Sequence, residues 1–199
     1  MELVEEQLGL KHRPKEIVWE DLRRPCAGEI LLLRNFRMGW RAHLNPLALE
    51  PNGPQLRVSS NLWSLRDLKL SSESVNREHM ALTVLAFLMS SFGQIQFEYF
   101  GDNREGTRKI EKAACVDKVR CPNPESVTED KRNGMIKCLK ALPCPIDSGR
   151  LPDYDSNRRQ LDLFVASHLL DSTIDAPEVI QLADQVEADL DQIQSERVG

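Results

Sequence analysis

The chain has 199 residues, a mass of 22.7 kDa, 41% hydrophobic and 29% charged residues, the proportions of a soluble globular protein with room for one domain of ordinary size. Its net charge of −5 excludes a uniformly basic polyanion binder, but residues 1–140 hold 22 Lys or Arg against 19 Asp or Glu (+3), and residues 141–199 hold 4 against 12 (−8). A polyanion is therefore expected to meet the first two-thirds of the chain and not the acidic tail.

In chain order, Met1-Glu2-Leu3-Val4-Glu5-Glu6 is acidic and lacks an apolar signal region, so an intracellular, cytoplasmic chain is expected. Residues 1–24 are charged and only weakly periodic, and give no clear element. EILLLRNFR, Glu29 to Arg37, reads as a strand with a buried apolar centre. Arg41 to Leu49 and LRVSSNLWSL, Leu56 to Leu65, read as further strands on either side of the turn at Glu50 to Pro54. Three strands and a tight turn predict a small, mainly antiparallel sheet. Six basic residues lie between Arg34 and Lys69, against Glu50 and Asp67 alone.

Met80 to Phe97 carries no charge, and 12 of its 18 residues are apolar. That length reaches the membrane-spanning range. Thr83, Ser90, Ser91, Gly93, Gln94 and Gln96 dilute it, however, and no basic flank follows, so a buried helix is predicted. Phe100 to Lys112 then reads as a helix exit turning at Gly101, Asp102, Asn103 and Gly106, before returning to helix-forming sequence. Three helices follow: one begins at Thr128, one at Ser156 with Leu161, Phe164, Val165, His168 and Leu169 on one face, and one at Asp175 and Pro177. In the last, Ala183, Val186, Leu190 and Ile193 form a stripe that suits docking on the body or a weak homodimer.

The residues of a catalyst are missing. There is no G-x-G, no P-loop, and the histidines His12, His43, His79 and His168 are scattered, so no catalytic residue and no cofactor is assigned. The five cysteines are odd in number, which disfavours a disulfide framework. Cys115/Cys121 and Cys138/Cys144 share a C-x5-C spacing wider than the usual zinc pair and have no histidine nearby, so they read as reduced thiols and no metal is expected. What remains is a binding surface. Arg34, Arg37 and Arg41 crowd the end of the first strand, and Arg57, Asn61 and Trp63 follow on the third. Such side chains pair with base edges or stack on bases. Asn103, Arg104, Arg108, Lys109 and Lys112 add candidate phosphate contacts, although Asp102, Glu105 and Glu111 largely offset their charge. On the bland reading, each of these residues is core or a solvated rim.

Taken in order, ILLLRNFR, RVSSNLWSLR, ALTVLAFLMSSFGQIQFEYF, Asn103-Arg104-Glu105, Lys109-Ile110-Glu111-Lys112, Cys121-Pro122-Asn123-Pro124 and Arg159-Gln160-Leu161-Asp162 with Val165 resemble the C-terminal target-recognition region of adenine-specific DNA methyltransferases of bacterial restriction–modification systems. The resemblance covers roughly residues 28–199. The family's catalytic half holds S-adenosylmethionine on a glycine loop and the target adenine on an Asn/Asp-Pro-Pro-aromatic motif. This sequence has neither, so the resemblance implies recognition without catalysis, and the base-flipping pocket belongs elsewhere.

The expectation is thus an α+β chain, with a small sheet in the first third and four or five helices after it. It divides into an undefined segment 1–24, a target-recognition domain 25–155, and a C-terminal helical pair 156–199 packed on that domain. The expected partners are double-stranded DNA and a methyltransferase catalytic subunit, with no membrane. The alternatives are an assembly module using the last helix, or an inactive remnant of a split methyltransferase gene.

Overall fold

The computed structural model of the chain describes residues 29–33, 35–36, 42–45, 48–49, 62–65, 74–104, 107–110, 118–142 and 154–198. The segment 1–24, the turn at Glu50 to Pro54 and Cys26, Cys115 and Cys144 lie outside these residues. Within them the fold is α+β, as composition and pattern require: six short strands in two sheets, and five helices.

The first sheet has the order β3-β1-β4, from Ala42–Leu44, Ile30–Leu33 and Leu62–Leu65. Both pairings are antiparallel. Ile30 and Leu32 of β1 are buried, as is Ala42 opposite Leu32, so alternation turns one face of the sheet to the core. The stretch Glu29 to Arg37 is not one strand, however. Leu33 ends β1 and Asn35 begins β2 (Asn35–Phe36), which belongs to the other sheet. At its start β1 is held by Glu29, whose buried carboxylate takes a hydrogen bond from Arg77 and whose carbonyl accepts from Asn45 N at 2.8 Å.

The uncharged run from Met80 forms two helices, not one. The first helix, α1 (Ser74–Met89), and the second, α2 (Ser91–Phe100), are bent by 63° at Ser90. Met80 to Met89 are buried on every side, as expected of a helix that is apolar all round and packed among other elements. Among the described residues no single helix is long and apolar enough to cross a membrane. Ser90 makes the break: its backbone is extended, and its hydroxyl donates to Phe87 O at 2.6 Å and accepts from Gly93 N at 3.4 Å. That is N-cap chemistry starting a new helix in a new direction.

After the strands of the second sheet, Asn123 and Pro124 start a 3-10 turn, Pro124–Ser126, which leads into α3 (Glu129–Ala141). Thr128 occupies the N-cap position of α3, but its side chain makes no cap hydrogen bond. Lys131, which stands where a capping-box acid would, instead donates to Ser167 O at 2.7 Å and ties α3 to the end of α4 (Tyr154–Leu169). Ser156 falls inside the first turn of α4, since that helix begins two residues earlier. His168 is half-buried at the rim and not in the core. Burial, and then the charge of Lys131, hold its imidazole below the usual histidine range. Cys138 is a buried free thiol, pushed up by that burial, whereas Cys121 is a free thiol exposed to solvent.

Gly134 of α3 lies against the ring of Phe164 on α4, and a Cβ there would come within 2.3 Å of two ring carbons. The ring is a side chain that can swing, so the overlap is relieved at moderate cost. Overpacking of this kind costs 1–3 kcal/mol and the better helix propensity of alanine returns about 1 kcal/mol. Gly134→Ala is therefore expected to lose about 1 kcal/mol net, read from the midpoint of a urea transition.

The last helix, α5 (Pro177–Val198), starts at Pro177 as its sequence predicts. Val179, Ala183 and Leu190 are fully buried against α2 and α4. Of the stripe proposed for assembly, Ala183 and Leu190 are therefore covered by the chain's own helices, and Val186 and Ile193 are half-buried. Each such aliphatic side chain contributes about 1.5–3 kcal/mol by burial. On the flank of this contact Arg159 pairs with Asp184 at 2.5 Å, and buried Arg158 lies 3.6 Å from Glu187.

Candidate nucleic-acid interface

The described part of the basic stretch after α2, as far as Lys109, forms two paired strands and not the start of a helix. Gly101 closes α2 through a hydrogen bond from its N–H to Phe97 O at 3.0 Å, with φ −77° and ψ 145°. This is extended backbone, not a left-handed turn, so the chain runs straight on into β5 (Asp102–Arg104). That strand pairs antiparallel with β6 (Thr107–Lys109), and Ile110, fully buried, anchors the end of the hairpin in the core. The connecting residues Glu105 and Gly106 lie outside the described residues. Thr107, Arg108 and Lys109 suit the pleated backbone better than the helix expected from Lys-Ile-Glu-Lys, because a neighbouring strand supplies their hydrogen bonds. That neighbour is β2, which comes from a segment more than seventy residues earlier.

The resulting sheet has the order β2-β6-β5. Its register aligns Asn35, Lys109 and Asp102 in one row, and Phe36, Arg108 and Asn103 in the next. Arg104 stands opposite Thr107. Of the candidate contact residues, Asn103 and Arg108 thus share a row on two paired strands, and Lys109 and Arg104 fall in the rows on either side, which alternation assigns to the opposite face. Arg34 and Arg37 flank β2 in sequence but lie outside the described residues, as do Arg41, Arg57, Asn61 and Lys112. Trp63 belongs to the other sheet, in the row of Leu32, whose partner on the far strand is Ala42; both are buried. Position 43 occupies the next row with Leu31 and Ser64, and His43 is exposed.

Three further residues border this sheet that pattern reading missed. Tyr99, in the last turn of α2, is 77% exposed. It meets Phe100 edge to face at 5.3 Å between ring centres, and Lys118 holds its ammonium 5.7 Å from the Phe100 ring centre. Gln96, one turn before Tyr99, accepts from Arg120 N at 2.7 Å and donates to Arg120 O at 3.1 Å. The segment carrying Lys118 and Arg120 is thereby fastened to the helix end from which the hairpin springs. In sequence, the aromatic pair reads as the tail of an apolar helix and the two cations as isolated loop charges; the Lys118–Phe100 contact and the Gln96 clamp join them.

Among the described residues, no group of histidine, cysteine, aspartate and glutamate side chains could hold a metal ion. Among the described residues, the strongly buried acid with a marked shift is Asp162 of α4, pushed up to about 6 by burial, and its Oδ1 accepts from Ser91 N at 2.7 Å. It caps α2 across the helix interface and is structural. What the sheet and the α2 end present together is a short antiparallel ribbon bearing Arg, Lys and Asn, with two more cations and an exposed ring beside it. Residues of these types on strands can supply donors to phosphates and base edges.

Comparison with known families gives one match. Residues 6–141 match the family model of the specificity domain of restriction endonuclease BpuSI. No curated protein and no solved structure matches significantly. The matched region begins inside the segment that carries no clear sequence element, contains both sheets and the hairpin, and stops at the end of α3, so α4 and α5 lie beyond it. The chain therefore belongs to the family of the BpuSI restriction endonuclease specificity domain, in keeping with its resemblance to the target-recognition regions of restriction–modification proteins.

Proposed function

We propose that this chain binds double-stranded DNA sequence-selectively as the target-recognition portion of a restriction–modification system, with the β2-β6-β5 sheet as its reading surface. Methyl transfer to adenine is left to a separate catalytic subunit. The observation that carries the reading is the sheet itself: it draws Asn103, Arg104, Arg108 and Lys109 into adjacent rows, beside a β2 strand flanked in sequence by Arg34 and Arg37, within a chain whose matched region is a specificity domain. Arg104, Arg108 and Lys109 supply phosphate neutralisation, which positions the duplex. Asn103 and the arginines of the ribbon supply the donors that discriminate bases.

The test is binding of the full chain to duplexes selected from a random pool, measured at several salt concentrations. Wild type is expected to weaken steeply with salt. Arg108→Ala and Arg104→Ala are each expected to flatten the slope of log K against log salt by about 1 if the residue contacts one phosphate. A residue that reads a base is expected to cost about 1–3 kcal/mol and to relax the selected sequence at one position. Binding that ignores salt, or a pool from which no sequence emerges, would sink the reading.

A further inference from the structure

Among the described residues several cations are committed, whereas Lys137 and Lys140 of α3 are exposed with no carboxylate partner. Arg77 is held by Glu29, Arg158 lies against Glu187 and Asp191, and Arg159 pairs with Asp184. Lys131 and Arg132 donate to backbone carbonyls. Lys118 and Arg120 differ. Among the described residues no carboxylate pairs with either, and both are exposed. The Lys118 ammonium rests near a ring face, an interaction worth only about 0.5–1 kcal/mol at exposed sites. Arg120 is held by its backbone alone: Gln96 takes its N–H and gives to its C=O, which fixes the Cα while leaving the guanidinium uncommitted. On the same helix end stands Tyr99, the most exposed large apolar side chain among the described residues. A ring that gains nothing from burial, on a helix end that holds Lys118 through Phe100 and Arg120 through Gln96, and three residues before a strand carrying Asn103 and Arg104, has the make-up of a nucleic-acid contact. Aromatic faces take up sugars and bases, and cations take up the phosphates on either side.

We infer that the end of α2 and the segment 118–120 form a second contact ledge for the same duplex. Lys118 and Arg120 each neutralise a phosphate flanking the stretch read by the hairpin, and the Tyr99 ring packs on a sugar or base edge. The inference rests on the hairpin sheet being the DNA surface, and it extends that surface round the helix end by three residues that no motif singles out. Because Gln96 fastens residue 120 to the helix and β5 continues directly from that helix, ledge and hairpin are held in fixed register. The ledge therefore contributes position and affinity without reading sequence at a distance.

The experiment uses the full chain and the duplex chosen by selection. Lys118→Ala and Arg120→Ala are each expected to lower the salt slope by about 1 and to weaken binding equally across related sequences. Tyr99→Ala is expected to weaken binding about tenfold with the slope unchanged, since no charge is lost, and Tyr99→Phe is expected to bind like wild type. All of these residues are at the surface, so melting temperatures close to wild type accompany the effects. Wild-type slopes in both Lys118→Ala and Arg120→Ala, alongside a lowered slope in Arg108→Ala, would overturn the ledge and leave the hairpin reading standing. A wild-type slope in Arg108→Ala as well would remove both.

Discussion

Replacing Gly93 by alanine is expected to destabilise the protein by about 2 kcal/mol, although glycine-to-alanine changes inside helices ordinarily stabilise by about 1 kcal/mol. Gly93 lies in the first turn of α2, where that helix folds back at 63° from α1. A Cβ there would sit 2.5 Å from the carbonyl oxygens of both Phe87 and Leu88, and 2.6 Å from the Leu88 Cα. These are backbone atoms of the last turn of α1, so no rotamer change relieves the overlap; the two helices must splay. Overpacking costs of about 3 kcal/mol lie at the top of the usual range and outweigh the propensity gain. For a chain of this length, the net loss corresponds to a melting temperature lower by about 4–8 °C. The strain is also expected to reach the interface, because α2 runs directly into the hairpin. Gly93→Ala should lose DNA affinity at temperatures where it remains folded. A thermal melt monitored by circular dichroism checks the first part, and an unchanged or raised midpoint would show that the bend tolerates a side chain.

The second large effect is a pH dependence at the same bend. Asp162 is fully buried on α4, accepts a hydrogen bond from Ser91 N, and has its carboxyl pushed up from 3.8 to about 6. Burial is the main cause; the hydrogen bonds from Ser91 and the charge of Arg158 oppose it, and Glu187 adds to it. An acid whose folded value lies above its unfolded value binds more protons folded than unfolded between those values. Its contribution to stability is therefore greatest below about pH 4 and is lost as the pH rises through about 6. The penalty at neutral pH is about 3 kcal/mol at 1.36 kcal/mol per unit. Asp162→Asn keeps an acceptor for Ser91 N and removes the ionisation. Its stability relative to wild type is expected to rise by about 3 kcal/mol from pH 4 to pH 8. Asp162→Ala removes the acceptor as well. It leaves the buried Ser91 N–H unpartnered, at a cost of about 1–3 kcal/mol relative to the asparagine variant at pH 8. Urea titrations of the three proteins at both pH values measure these differences. A difference between the asparagine variant and wild type that stays flat with pH would mean that the Asp162 carboxyl titrates at the same pH folded as unfolded, so that its burial has no net effect on stability.

Much of the fold can be read from local chemistry. The α+β class, the apolar run after Met80, the helix start at Pro177 and the stripe through Ala183 and Leu190 all follow from composition, caps and period, and the structure has them. Three features do not follow from local chemistry. Glu29 to Arg37 reads as one strand because an apolar centre, Ile30 to Leu33, runs into a polar exit with no turn signal between them. It divides because Leu33 and Asn35 find partners in different sheets, and partner choice is not local. Met80 to Phe97 reads as one helix because Ser90 and Gly93 only dilute an apolar run. The bend depends on a side-chain cap at Ser90, a glycine that lets two turns approach, and a carboxylate 71 residues away that supplies the new N-terminus with an acceptor. Phe100 to Lys112 reads as a helix exit re-entering helix, since Lys, Arg and Glu favour helices; a strand from before Arg37 recruits its described part, as far as Lys109, into a sheet instead.

The same division holds for the candidate interface. The sequence alone determined which residue types are available: arginines, lysines and asparagines in the first two-thirds of the chain, and an acidic final third. It also determined the order of motifs through which the kinship with target-recognition regions could be seen. Only the tertiary structure decided that Arg104 and Arg108 share a ribbon with β2, that Asp162 serves the bend and not a site, and that Tyr99, Lys118 and Arg120 stand together. The physical reason is that charge and periodicity are properties of a segment. Strand pairing, a helix cap supplied across an interface and a glutamine clamp on a distant backbone exist only once segments far apart in the chain have been packed against one another.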